Sequence, residues 1–120
     1  MKIETSALGP DIALIVLDGR LDIAGAAEVE EEFGARVAQA RVVVVDLSQT
    51  PFVASIGIRL LLANAKGLSR RNGSMLLCGC DPQVERVLRS TGVDQLIAIV
   101  PTREAALAEV GSVVSGGPSS

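Results

Sequence analysis

Arg41-Val42-Val43-Val44-Val45-Asp46-Leu47 decides the fold class. Four successive valines leave no alternation of apolar and polar residues, so both faces of this β-branched strand must be covered. Such a strand belongs in the middle of a sheet with helices packed on each side. Reading outward, residues 48 to 54 form a loop, and Ser55 begins a helix in which Ile58, Leu61, Leu62, Ala65 and Leu68 keep a core-facing rhythm. Gly73 closes that helix after Arg70 and Arg71. Spacing alone makes Ser55 its N-cap.

The flanking segments repeat the pattern. Upstream, Ile12 to Asp18 is a short apolar strand whose neighbour is the alternating Lys2 to Leu8, with Gly9-Pro10 as a hairpin turn. Between them and the valine strand, Val29, Phe33, Val37 and Ala40 mark an amphipathic helix over residues 26 to 39. Its acidic cluster, Glu28, Glu30, Glu31 and Glu32, reads as a solvated face near the positive end of the helix dipole. Downstream, Ser74 to Cys78 is a second buried strand, and Asp81-Pro82 caps a helix running to about Ser90. Gln95 to Val100 reads as a further strand, and Pro101-Thr102 opens a last helix through about Val110. The expected architecture is a single α/β domain over residues 1–110: a mixed, mostly parallel sheet with an N-terminal hairpin and about four flanking helices. Residues 111–120, rich in Gly and Ser, are expected to form a flexible tail.

Composition excludes several functions. The 120 residues contain two Phe, no Trp and no Tyr, so aromatic platforms for stacking bases are missing. A formal net charge of −3 with no run of Lys and Arg argues against nucleic acid and against an anionic membrane surface. No histidine is present, which removes the commonest general base, metal ligand and partner of a catalytic Ser or Cys. No apolar run reaches the ~20 residues that span a bilayer. The two cysteines, Cys78 and Cys80, suit free thiols in a reducing compartment, and a cytoplasmic protein is expected.

The loop from Asp46 to Ser55 leaves the carboxyl end of a parallel strand, where ligands of open α/β sheets gather. Ser55 sits at a helix start, whose free N–H groups and dipole favour anionic groups. The helix also carries a second apolar stripe, Ile56, Leu60 and Ala63, offset from its core-facing one. A stripe not needed for the core is available to a partner.

These residues resemble a known family. The run Val-Val-Asp46-Leu47-Ser48-Gln-Thr-Pro-Phe52-Val-Ala54-Ser55-Ile56-Gly57-Ile58-Arg59-Leu-Leu-Leu62 looks like the signature of the STAS domains, the family of bacterial anti-sigma factor antagonists. Gly19-Arg20-Leu21-Asp22, Arg71-Asn72-Gly73 and Ser90-Thr91-Gly92-Val93 agree with it, so the resemblance runs from about Lys2 to Val110. It implies an antagonist that binds an anti-sigma factor and serine kinase of the histidine-kinase-like ATPase type. In the family motif Asp-Ser-Ser/Thr-Gly, the residue before the glycine is phosphorylated by that partner, which releases it. Here Gly57 matches the glycine, Ser55 the first hydroxyl residue, Ala54 the aspartate and Ile56 the phosphoacceptor. Isoleucine has no oxygen to phosphorylate. Either Ser55 takes over as acceptor, or the domain binds constitutively. The expected partner face is Ser55, Ile56, Gly57, Arg59, Leu60 and Ala63, with Asp22, Ser48, Phe52 and Ala54 at its edge. A second copy of the chain is a further partner, as a weak homodimer. The alternative is a scaffold or adaptor subunit of a multiprotein complex, stressosome-like or lipid-transport-like.

A Cys80-x5-Arg86 loop also has the spacing of cysteine phosphatases and sulfurtransferases, but Pro82 lacks an N–H and Asp81 and Glu85 would repel a bound anion. Neither catalysis, a cofactor nor a metal site is expected. Cys78-Gly79-Cys80 without histidine cannot complete a zinc shell.

Overall fold

The computed structural model describes the backbone of residues 1–116 and the side chains of residues 1–110. Its sheet has five strands in sequence order: β1 (Lys2–Gly9), β2 (Ile12–Asp18), β3 (Val42–Gln49), β4 (Ser74–Cys78) and β5 (Ala98–Val100). β1 and β2 form the antiparallel hairpin, and β2 through β5 are parallel. Among the described residues four α-helices connect or follow them: α1 (Ile23–Ala38), α2 (Ser55–Arg70), α3 (Pro82–Ser90) and α4 (Arg103–Gly116).

The valine strand is central, as its composition requires. Val43, Val45 and Leu47 face the main core with Ile15, Leu77, Phe33 of α1, Leu61 and Leu68 of α2, and Leu88 of α3. Val44 faces the opposite side with Leu14, Leu76 and Cys78, under Ala106 and Val110 of α4. Fully burying each such Leu or Val contributes about 1.5–3 kcal/mol relative to exposure, so the two-sided cover fixes the position of β3 and of the loop that leaves it.

Several boundaries move from expectation for identifiable reasons. α1 begins at Ile23 rather than Ala26, because the Asp22 carboxylate accepts the Gly25 N–H at 2.8 Å and caps the helix three residues early. The acidic cluster therefore lies in the middle of α1, and its first turn holds no carboxylate. At the end of α2 the left-handed residue is Asn72, with φ 62°, not Gly73. Gly73 is small for a different reason: a Cβ there would lie 2.3 Å from the Arg41 carbonyl oxygen. The expected strand over 95–100 shortens to Ala98–Val100 behind a 3-10 turn at Val93–Gln95. Val93 and Ile97, four apart, both reach the main core, and the Ile97 N–H donates to the Val93 carbonyl, so helical geometry wins there. α4 continues past Val110 to Gly116, into the stretch expected as tail, while residues 117–120 of that stretch lie outside the described residues.

Candidate functional site

The parallel strands end on one edge of the sheet, and α1, α2 and α3 all start there. The loop after β3 is strapped to the segment after β2. Leu21 donates its N–H to the Phe52 carbonyl, and the Ala54 N–H donates to the Leu21 carbonyl, both at 2.9 Å, forming a parallel bridge between Leu21 and Val53. Thr50, buried, donates its hydroxyl to the Leu17 carbonyl at 2.8 Å. The start of α2 is thereby held against α1.

Ser55 is not the cap. Ala54 occupies that position in extended backbone, where its methyl group offers no acceptor and no side chain caps the helix. Ser55 is the first helical residue and is exposed, so its hydroxyl is free of the structural role that spacing assigned to it. Ile56 follows at 38% exposure. Gly57 is buried, and a Cβ on it would approach Leu21 Cγ to 2.6 Å; only glycine lets α2 sit this close.

The second stripe of α2 is half covered. α1 lies beside it, and between the two helices runs a groove of about 380 Å³ lined by Ala26, Glu30, Ile56, Arg59, Leu60 and Ala63, with Gly34 and Asn64. Four of the expected partner residues thus meet in one depression. Leu62, expected in the core, is only partly buried and lines a neighbouring depression with Arg59, Lys66 and Arg70.

The edge residues divide into two groups. Phe52, 39% exposed, carries the Arg20 guanidinium 4.2 Å from its ring centroid. Asp22 caps α1, and the Gly25 N–H holds its carboxyl below the usual carboxylate range. Both lie next to Leu21, at the end of the sheet where α1 and α2 begin. Ser48 instead belongs to the α4 side. Its N–H donates to Asp46 Oδ1 at 2.8 Å, while Asp46 Oδ2 accepts from Arg103 of α4 at 2.6 and 3.0 Å. Burial opposes ionisation of Asp46, which is 4% exposed, yet the Ser48 N–H and the Arg103 guanidinium hold its carboxyl below the usual range.

Two exposed apolar groups lie outside the sequence expectation. Ile23, 77% exposed, stands at the start of α1 beside this region, and the Asp22 cap was the signal that would have placed it on the helix. Val87 of α3 lies with Pro51 and Phe52 around a smaller cleft of about 220 Å³. Glu30 gives the groove its acidic wall.

Cysteine chemistry loses its basis. Burial, with Glu85 and Asp46 nearby, pushes the Cys80 thiol up to about 11, and burial beside Asp46 pushes Cys78 up to about 12. A nucleophilic thiolate needs the reverse. Among the described residues no group of three or more Cys, Asp or Glu is placed to hold a metal ion, and no helix is long and apolar enough to cross a membrane.

The STAS domain family model matches residues 7–106, which include the end of β1, all of β2 to β5 and the whole groove. The chain belongs to the STAS domain family. BtrV of Bordetella bronchiseptica, for which an anti-sigma factor antagonist role is proposed, is 34% identical over 93 residues, covering 77% of this chain and 80% of that protein. The solved anti-sigma factor antagonist from Mycobacterium paratuberculosis is 28% identical with a TM-score of 0.78, covering 91% of this chain and 94% of the other. The antagonist SpoIIAA in its unphosphorylated form superposes with a TM-score of 0.78 at 18% identity, covering 92% of this chain and 97% of its own, and shares the fold.

Proposed function

We propose that this STAS domain is a cytoplasmic anti-sigma factor antagonist that binds an anti-sigma factor of the histidine-kinase-like ATPase type through the start of α2, without catalysis. The observation that carries this reading is Ile56: an apolar side chain at the first turn of α2, open to solvent at the end of an apolar groove, in the position where the family places its phosphoacceptor. Ile56 is not part of either core cluster, and a partner that buries its remaining 38% exposure recovers about 0.5–1 kcal/mol. Relatives described as anti-sigma factor antagonists support the same assignment.

With no oxygen at Ile56, phosphorylation there does not release the partner, and binding is constitutive unless Ser55 serves instead. A phosphate on Ser55 would add about −1.5 to −2 charges beside the apolar contact. The two alternatives separate on intact mass after incubation with ATP and the cognate kinase. No added phosphate supports constitutive binding; a phosphate abolished by Ser55→Ala transfers the switch to Ser55.

The binding reading is tested by affinity capture with mass spectrometry, comparing the native chain with Ile56→Glu. A glutamate in the first turn is favourable to the helix dipole, so the variant keeps its fold while losing the apolar contact. Recovery of an anti-sigma factor that Ile56→Glu no longer captures is expected. Recovery of only other STAS proteins, undiminished in the variant, would favour the scaffold role instead.

A further inference from the structure

The two helices that wall the groove carry opposite charge. α1 has four glutamates and a single arginine, whereas α2 has Arg59, Lys66 and Arg70 and no acidic residue. Glu28 is engaged by the amino group of Met1 at 2.6 Å. Glu30, Glu31, Glu32, Arg59, Lys66 and Arg70 are all exposed, and among the described residues none of the six is in an ion pair, although α1 and α2 lie side by side. The charges on these two helices are therefore hydrated and have no ion-pair partner within the described residues, and Glu30 and Arg59 line the groove itself. From this segregation we infer that the α1 and α2 face docks on the same face of a second copy of the chain.

Symmetry decides how. α1 and α2 each follow a parallel strand and lead to the next one, so they run in the same direction. A face-to-face dimer has its two-fold axis in the plane of the interface. If that axis crosses the helices, α1 meets α1 and α2 meets α2, bringing like charges together. If it runs along the groove, α1 of one copy lies over α2 of the other, in the same direction. In that register Glu30, Glu31 and Glu32, the eighth to tenth residues of α1, fall between Arg59 and Lys66, the fifth and twelfth of α2. The charge pattern permits only the second arrangement. Gly34 and Ala63 keep the groove open, and Ile56 and Leu60 supply apolar surface next to the axis.

The contact is small. Helices of 16 residues are ~24 Å long, and two of them side by side are ~20 Å wide. That footprint buries about 1,000 Å² in total from both copies, at the low end for a specific interface, so the dimer forms reversibly at high micromolar concentration. The net charge of −3 per copy opposes it weakly. Because Ile56, Leu60 and Ala63 are also the proposed partner contacts, dimer and partner complex exclude each other, but the dimer itself does not depend on that reading.

Sedimentation equilibrium on the full chain up to about 1 mM at low salt tests it without any partner. The native chain is expected to dimerise, with affinity falling several-fold as salt is raised. Glu31→Arg alone and Lys66→Glu alone each act twice by symmetry and are expected to weaken the dimer about tenfold; combining them restores it. Circular dichroism confirms that each variant is folded, and Ala63→Cys, joined between copies by a short bismaleimide, gives a readout free of charge changes. A monomer throughout this range, or a dimer indifferent to both reversals and not cross-linked at residue 63, overturns the inference.

Discussion

Replacing Gly57 by alanine tests how α2 is seated. Inside a helix, alanine is normally favoured over glycine by about 0.5–1 kcal/mol. At Gly57 the added Cβ would lie 2.6 Å from Leu21 Cγ, 2.9 Å from its Cδ2 and 2.9 Å from its carbonyl oxygen. Leu21 cannot retreat easily: its side chain is fully buried, and its N–H and carbonyl are both engaged by the loop at 2.9 Å. Overpacking of this kind costs about 1–3 kcal/mol, which exceeds the helix-propensity gain. Net destabilisation by about 1–2 kcal/mol is expected, a fall of roughly 4–8 °C in the thermal midpoint. Gly67 provides the internal control, since it lies in the same helix and a Cβ there meets nothing within 4 Å. Gly67→Ala should therefore raise stability by about 0.5–1 kcal/mol. Urea unfolding of both variants measures the contrast. If Gly57→Ala is as stable as Gly67→Ala, the close approach of α2 to Leu21 is not what selects glycine there.

Three further outcomes are expected. Asp46 has its carboxyl held below its ordinary value of 3.8 in the folded chain, so its contribution is present above that value and is lost as pH falls through the lower, folded one; acid titration of stability should steepen below about pH 4, and Asp46→Asn should flatten that region. Arg71 donates to the carbonyls of Val37, Ala38 and Ala40 at 3.1–3.4 Å, closing the end of α1, and Arg71→Ala should cost about 1 kcal/mol in thermal unfolding, with no loss indicating that these contacts are unimportant. With its thiol pushed up to about 11, Cys80 should resist iodoacetamide at neutral pH, and fast alkylation there would restore the case for a reactive cysteine.

The valine run carried most of the fold in plain view, because an unbroken apolar strand has one stable environment and the neighbouring periodicities then fill in the layers. The hairpin, the central place of β3, and the caps at Asp81 and Pro82 follow from local chemistry that tertiary packing does not override. Where packing overrides it, the sequence pattern and the structure differ. Gln95 and Ile97 look like part of a strand until the core claims Ile97 at helical spacing from Val93. Ser55 looks like a cap until the Leu21 strap fixes Ala54 in that position. At the site, Ile56, Leu60 and Ala63 were legible from their offset around α2, but the wall that turns them into a groove was not, because Ala26, Glu30 and Gly34 come from α1 and no local pattern links the two helices. Ser48 shows the converse: adjacent to the motif in sequence, it is tied through Asp46 to Arg103 on the other side of the sheet.

The central claim is that the partner is bound at the start of α2 and the groove behind it. Hydrogen exchange of the captured complex, read by mass spectrometry against the free domain, measures this most directly. Protection gained over residues 52 to 63, with β1 and α4 unchanged, is the predicted result. Protection confined to β1 or to α4, with the α2 start exchanging as in the free chain, would contradict it.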